Sequence, residues 1–158
     1  IKRFMAKVIK DSAFSELILR RYEKPYNLGK RELVKKICLS LGLLQAGDSR
    51  DIIVDILLVL INASKEKKEL VVGDIKEQAV KIREQNSLEA KGIAESNIRR
   101  QLKRLRDLMI VEKNANSYKL GEFESLTNIF NSKIEGFLLP QILTRIKEYL
   151  AELEKQQQ

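Results

Sequence analysis

The sequence predicts a mainly α-helical chain that contains one small β-hairpin. Apolar residues recur at the three- and four-residue spacing of an amphipathic helix over most of the 158 residues. Near residues 110–120, two short β-prone stretches flank an Asn-Ala-Asn turn, which is typical of a hairpin. We therefore expect helices before the hairpin and further helices after it.

The first predicted helices lie in a basic N-terminal extension, residues 1–47. Apolar residues from Phe4 to Tyr22 predict one or two amphipathic helices that end before Pro25. The next helix is ended by Gly42. Its predicted buried face consists of Leu33, Val34, Ile37, Cys38 and Leu41.

The next stretch predicts the centre of the core. A turn over residues 43–48 leads to an N-cap at Asp48 or Ser49 and to a helix that ends near Ser64. Residues 52–61 are apolar on most sides, and this run is about half the ~20 residues that a membrane-spanning helix needs. We therefore expect a buried central helix and no membrane partner.

Two carboxylates, Asp51 and Asp55, lie four residues apart on the polar stripe of this helix, together with Asn62. Such a pair could hold magnesium. The favoured interpretation is a solvated edge, with Asp51 stabilised by the dipole at the helix N-terminus. No metal site is therefore predicted.

A short β-prone segment, residues 69–72, precedes a further helix that opens at Gly73 or Asp74. This helix has lost its pattern by Asn86, and a break at Lys91-Gly92 follows. Its inward residues are Ile75, Ala79, Val80 and Ile82.

The most specific stretch runs from Gly92 to Glu112. Glycine permits a tight turn, and the helix after it carries apolar residues four and three positions apart, Ile98, Leu102 and Leu105, which predict its buried side. At 100° per residue the opposite side is fixed by geometry. The outward residues are Ser96, Asn97, Arg100, Lys103 and Arg104, with Arg99 and Arg106 on one flank.

The predicted hairpin consists of residues 110–113, a turn at 114–116 and residues 117–120. The helix after Gly92, the segment that leaves it and the hairpin together resemble the winged helix-turn-helix transcription regulators of bacteria and archaea. This group includes MarR-like and PadR-like proteins. The resemblance covers about residues 48–120. It implies three helices before a hairpin wing, with the third helix in the major groove of DNA. Such proteins usually have glycine at the position of Met109, so the helix exit is expected to differ in shape.

Positive charge is concentrated in two blocks. Residues 1–36 carry eleven basic and four acidic side chains, and residues 91–119 carry eight and three, in a chain whose net charge is +8. Clustering of this kind is typical of proteins that bind a polyanion. Five basic residues between Arg99 and Arg106 suit a helix that must donate hydrogen bonds to phosphates and guanine.

These considerations predict a double-stranded DNA interface. Arg100 is the first candidate for a base contact and Asn97 the second, and Arg99 and Arg104 belong to the same basic surface. Tyr118 in the wing is expected to pack rather than to stack on a base. The candidate phosphate contacts are Ser96, Lys103, Lys113 and Lys119.

The composition argues against enzyme chemistry. The chain has no histidine and a single cysteine, Cys38. This excludes Ser-His-Asp and Cys-His nucleophile pairs, zinc sites built on histidine or CxxC, and internal disulfides. Cys38 lies on an apolar helix face and is expected to be a core residue. No enzyme activity and no cofactor are predicted, and the expected compartment is the cytoplasm.

The C-terminal segment, residues 121–158, carries a narrow apolar seam. Its residues are spaced four, three, four and three apart and are Leu139, Leu143, Ile146, Leu150 and Leu153. Two heptads are fewer than the ~3–4 of an autonomous coiled coil, so the seam could pack on its own domain. The family resemblance instead implies dimerisation by helices that flank the wing. Pro140 predicts a kink or a helix start.

We expect a sequence-specific double-stranded DNA-binding protein, most simply a homodimeric transcription regulator. The alternative is a winged-helix interaction or scaffold subunit of a larger nucleic-acid-associated complex. Strong preference for one DNA sequence favours the first, and weak uniform binding with a stable heteromeric partner favours the second. The sequence leaves open whether a small-molecule effector exists.

Overall fold

The computed structural model describes residues 16–18, 21 and 24–158, which form a mainly helical fold with a small three-stranded antiparallel sheet. The first elements are helices α1 (Lys30–Ser40) and α2 (Ile52–Lys65), strand β1 (Leu70–Val71), and helices α3 (Val72–Gln85) and α4 (Glu95–Asp107). Strands β2 (Val111–Asn114) and β3 (Ser117–Leu120) and a short 3-10 turn (Gly121–Phe123) follow. A long helix closes the chain, built of α5 (Leu126–Ile129), a π-helical segment (Phe130–Leu138) and α6 (Leu139–Gln156).

Most of the region from Phe4 to Tyr22, for which helices are predicted, lies outside the described residues. Residues 16–18 are described and are not helical. The amide of Ile18 donates to the carbonyl of Ser40 at 3.3 Å, so the backbone here runs beside the end of α1 instead of forming a helical turn.

Helix α2 is the centre of the core, as predicted. Residues 51–60 are all buried, and α1, α3, α4 and β3 pack around them. The predicted N-cap is wrong, because the helix begins at Ile52 with Asp51 at the cap. Asp48 instead accepts a hydrogen bond from the amide of Arg50 at 2.8 Å, which forms a local turn before the helix. No helix in the described ranges is long and apolar enough to cross a membrane.

The predicted solvated edge of α2 is wrong. Asp51 and Asp55 are 5% and 0% exposed, and they face two buried guanidinium groups, Arg31 at 8% and Arg83 at 3%. The reason is that α1 and α3 cover this side of α2 and bring the two arginines onto it. A buried charge is costly unless it is paired, and here each carboxylate pairs with both guanidinium groups.

Helix α1 packs on α2 through only part of its predicted face. Val34, Cys38 and Leu41 are buried in the common core. Leu33 and Ile37 instead line an apolar cavity of about 530 Å³ between α1 and the long C-terminal helix. Burial raises the pKa of the Cys38 thiol to about 12, consistent with a core residue and not with a reactive thiolate.

The sheet has the strand order β1–β3–β2, and both pairings are antiparallel. The predicted hairpin is confirmed, but β2 extends to Asn114, which pairs with Ser117 across a two-residue turn. Ala115, and not an asparagine, has the positive φ there, at 52°. Helix α3 begins at Val72, directly after β1, which is earlier than predicted.

The long C-terminal helix has two parts with different surroundings. Ile129 and Ile134 are buried at 3% and 4%, so α5 and the π-helical segment belong to the core. From Pro140 onward every residue is exposed. Pro140 lies in the first turn of α6, as one of the two predicted alternatives has it. Four of the five seam residues, from Leu143 to Leu153, are 49–53% exposed, whereas Leu139 is half-buried.

Candidate nucleic-acid interface

Helix α4 has one buried apolar face and one exposed basic face. Ile98, Leu102 and Leu105 are fully buried, as predicted from their spacing. The other side carries five exposed cations and the exposed Ser96, and the carboxylates of Glu95 and Asp107 are exposed at the two ends of the helix. The cations are Arg99, Arg100, Lys103, Arg104 and Arg106.

The exit of α4 is held by backbone hydrogen bonds. The amide of Met109 donates to the carbonyl of Arg106 at 2.8 Å, and the amide of Ile110 donates to that of Leu105 at 3.0 Å. This is the Schellman pattern, which requires positive φ at the residue after the C-cap. Met109 has φ 62°, so it adopts the conformation that usually favours glycine. Ile110 is fully buried and fixes the start of the hairpin against the core.

The entrance to α4 is a turn that needs glycine. Gly92 has φ +72°, and a Cβ there would lie 2.9 Å from Asn97 Nδ2 and 3.3 Å from Ile52 Cγ2. Asn97 Nδ2 donates to the carbonyl of Gly92 at 2.8 Å, and Asn97 Oδ1 accepts from Gln101 at 3.2 Å. Asn97, the second candidate for a base contact, is therefore half-buried and locks the turn in this structure.

The buried arginine–aspartate cluster holds the connection that leads into α4. Arg83 Nη1 lies 2.9 Å from Asp51 Oδ1 and 2.7 Å from Asp55 Oδ2. Its Nε donates to the carbonyl of Glu89 at 2.6 Å, midway along the α3–α4 connection. One side chain thus ties this connection to α2. Neither the cluster nor its role is predicted from the sequence, where Arg83 reads as an ordinary polar residue.

The opposite charges of this cluster stabilise one another. Burial alone would raise the pKa of Asp51, but hydrogen bonds from Arg83 and Arg31 outweigh burial and hold that pKa below its ordinary value. Burial likewise opposes the charged form of both arginines, and the two carboxylates reverse this effect, so that the pKa of each guanidinium is raised. Asp51 and the two arginines are therefore charged at neutral pH.

The exposed cations of α4 differ in their partners. Arg99 lies 3.4 Å from Glu95 and Lys103 lies 3.2 Å from Asp107, each pair four residues apart on the helix surface. Exposed pairs of this kind are worth about 0.3–0.5 kcal/mol, so an incoming polyanion displaces them at little cost. Arg100 lies near the middle of the basic face and makes no ion pair with a described residue.

The wing brings one of its two predicted phosphate contacts to the surface. Tyr118 is buried, as expected for a packing residue, and Lys113 is exposed with its Nζ 5.8 Å from the centre of the Tyr118 ring. Lys119 has a side chain only 22% exposed, 3.6 Å from Glu69 and 3.8 Å from a second carboxylate. It lies across the sheet surface among acidic groups and is less available to DNA than predicted.

Two further cations lie beside α4 that the sequence does not single out. Arg50, in the loop between α1 and α2, and Lys91, before the Gly92 turn, line a polar cleft of about 630 Å³ together with Arg100 and Arg104. No local spacing connects Arg50 to α4, because the two are far apart in the chain. Only the packing of α2 against α4 makes them neighbours.

The structure therefore exposes the basic face of α4 and Lys113 and places Arg50 beside α4, while it turns Asn97 and Lys119 toward other protein groups. In the described ranges no group of cysteine, aspartate and glutamate side chains could hold a metal ion. Comparison of the chain with family models, with curated proteins and with solved structures gives no match.

Proposed function

We propose that this chain is a sequence-specific double-stranded DNA-binding protein of the winged helix-turn-helix type, with α4 as its recognition helix. The observation that carries the proposal is the division of α4 into a fully buried apolar side and an exposed side rich in arginine and lysine. A helix anchored along one side can present its other side to a groove without losing its own packing.

The dimensions and the chemistry of α4 support this role. A helix of 13 residues is about 20 Å long, and a helix with side chains is about 10–12 Å wide, close to the ~12 Å width of the major groove. Arg100 lies near the centre of the exposed side. A guanidinium can donate two hydrogen bonds to guanine O6 and N7, which is the commonest specific contact in the major groove.

The order of elements also supports a winged helix. Helix α2, strand β1, helices α3 and α4, and the hairpin of β2 and β3 follow one another along the chain, and β1 pairs with β3 in one sheet. The hairpin starts three residues after the α4 C-cap and carries the exposed Lys113. A wing in this position would reach the phosphate backbone beside the groove that holds α4.

A homodimer formed through α6 is part of the proposal. The four seam residues from Leu143 to Leu153 are each 49–53% exposed, on a helix of 18 residues that is about 27 Å long. Helix α6 carries three basic and three acidic side chains, so a second α6 meets no net repulsion. Its partner in the pair is a second copy of the chain, which supplies a matching apolar seam.

A second candidate function follows from the same exposed seam. If α6 binds a different protein, the chain acts as an interaction subunit, and its basic surface touches nucleic acid without choice of sequence. The two functions differ in what binds α6 and in whether α4 discriminates between DNA sequences.

Selection of bound sequences from a pool of random duplexes tests the proposal. We expect an inverted repeat whose half-sites are about one helical turn apart, roughly 34 Å or 10 base pairs, because a two-fold axis relates the two α4 helices. The variant Arg100→Ala should lose about 1–3 kcal/mol and relax preference at one base pair. A matched Lys113→Ala variant should weaken all sequences about equally. Uniform recovery of the pool by the unmodified chain would overturn the proposal.

A further inference from the structure

The polar cleft beside α4 is strongly cationic. One wall is the loop between α1 and α2, which contributes Arg50, and the other is α4, which contributes Arg100 and Arg104. Lys91 lies between the two walls, and all four of these side chains are exposed. Among the described residues that line the cleft, the one carboxylate belongs to Asp48.

The cations of the cleft are available to a ligand. The guanidinium groups of Arg50 and Arg100 form no ion pair with any other described residue. Arg104 is held against the wall, because it donates to Gln101 Oε1 at 2.8 Å and to the carbonyl of Gly42 at 3.4 Å. Lys91 lies 2.9 Å from Glu89, and both side chains are mostly exposed, so this pair is readily displaced.

The walls of the cleft are fixed without a ligand. The Asp48 carboxylate accepts the amide hydrogen of Arg50 at 2.8 Å, which sets the end of the loop. On the other side, Gly92 lacks the Cβ that would collide with Asn97 and Ile52. The carbonyl of Gly92 also accepts a hydrogen bond from the side-chain Nδ2 of Asn97. A site whose geometry exists beforehand loses less free energy to ordering when it binds.

We infer that this cleft binds a phosphate group and that its ligand is a backbone phosphate of duplex DNA, beside the groove that holds α4. Arginine forks match the oxygens of a phosphate and form charge-assisted hydrogen bonds with them. A helix in the major groove lies between two rows of phosphates, so an element packed next to that helix faces one of the rows. The inference rests on the proposed function and adds the α1–α2 loop to the DNA contact.

The first test measures the salt dependence of duplex binding by the full chain. Arg50→Gln should reduce the magnitude of the slope of log K against log salt by about 1, because one phosphate contact and its released counterions are lost. Affinity should fall to the same degree for every duplex sequence. The control is Lys155→Gln, which removes an exposed positive charge in the last turn of α6 and should leave the slope unchanged.

The second test uses pyrophosphate as a probe and follows the side-chain Nε–H signals of nitrogen-labelled arginine by NMR. The signals of Arg50 and Arg104 should shift, that of Arg145 on α6 should not, and a short duplex should displace the probe. A free phosphorylated molecule is the source of the ligand if the probe binds at these arginines and duplex does not displace it.

The outcomes separate this inference from the proposed function. If the unmodified chain binds duplex with a steep slope and Arg50→Gln leaves that slope unchanged, the inference is overturned and the proposed function stands. If the chain does not bind duplex and pyrophosphate still shifts the signals of Arg50 and Arg104, the proposed function fails and the phosphate site stands. If neither ligand shifts these signals, the phosphate site is overturned.

Discussion

Arg83 Nη1 lies 2.7 Å from Asp55 Oδ2, and both side chains are almost completely buried. The same guanidinium donates to the carbonyl of Glu89 through Nε. The pair therefore joins the central helix α2 to the connection that leads into α4. The same side chain therefore contributes to the packing of the core and holds the connection that leads into the basic face.

The first prediction concerns this contact. Asp55→Ala leaves Arg83 and Arg31 buried with one carboxylate between them, and loss of one partner from a buried ion pair costs about 3–5 kcal/mol. We expect this loss in the free energy of unfolding, measured with urea. Glu77→Ala breaks an exposed pair with Lys81 at 3.3 Å and should cost no more than about 0.5 kcal/mol. Equal effects of the two variants would show that the cluster is not structurally important.

The second prediction concerns acid. Because the pKa of Asp51 is lower in the folded chain than its ordinary value of 3.8, its charged form stabilises the fold above that pH. This contribution is lost as the pH falls below 3.8 and through the folded pKa. Asp51→Asn lacks the titration, so its free energy of unfolding should decline less over this pH range than that of the unmodified chain. The free energy of unfolding of both chains is measured with urea at a series of pH values. Equal declines in the two chains would contradict a stabilising charge on Asp51.

The third prediction concerns the exit of α4. Met109 holds positive φ at 62°, a conformation that costs an L-residue about 1–2 kcal/mol relative to the right-handed region. Its side chain is only 37% exposed, so truncation also removes packing, and Met109→Ala measures that loss while it keeps the strain. We expect Met109→Gly to be more stable than Met109→Ala by about 0.5–1 kcal/mol after the entropy cost of glycine. Calorimetric melting compares the two variants, and a Met109→Gly chain that melts at a lower temperature than Met109→Ala would refute the prediction.

The fourth prediction concerns assembly. Leu150→Glu places a charge in the middle of the exposed seam of α6 and should convert a dimer to a monomer, because a buried unpaired charge opposes association. Glu148→Gln changes a residue outside the seam and should leave the dimer intact. Sedimentation at micromolar concentration reports both. An unmodified chain that sediments as a monomer would contradict the proposed two-fold dimer.

The parts of the fold that local spacing controls are predicted well. The burial of Ile98, Leu102 and Leu105 follows from helical periodicity, and the central place of α2 follows from apolar residues on most of its sides. The sequence also allows Tyr118 and Lys119 to be placed on opposite faces of the sheet, because neighbouring residues of a strand point to opposite faces. Once Tyr118 is placed in the core, Lys119 must lie on the outer face, where it pairs across the hairpin with Glu112.

The contacts that the sequence does not reveal join distant parts of the chain. Asp55 lies 28 residues before Arg83 and 24 after Arg31, so no local pattern pairs them. A signal was nevertheless present, since Arg83 continues the four-residue spacing of Ile75 and Ala79 on the inward side of α3. No sequence pattern indicates that Arg50 lies beside α4, because only tertiary packing brings the two together.

The central claim is that the basic face of α4 binds the backbone and bases of duplex DNA, and the salt dependence of that binding tests it most directly. A protein that neutralises about 6–10 phosphates loses ~10³–10⁵ in affinity between 50 and 200 mM salt, because counterions are released on binding. We expect a loss in this range for the full chain with a selected duplex. Affinity that is nearly independent of salt would contradict the account.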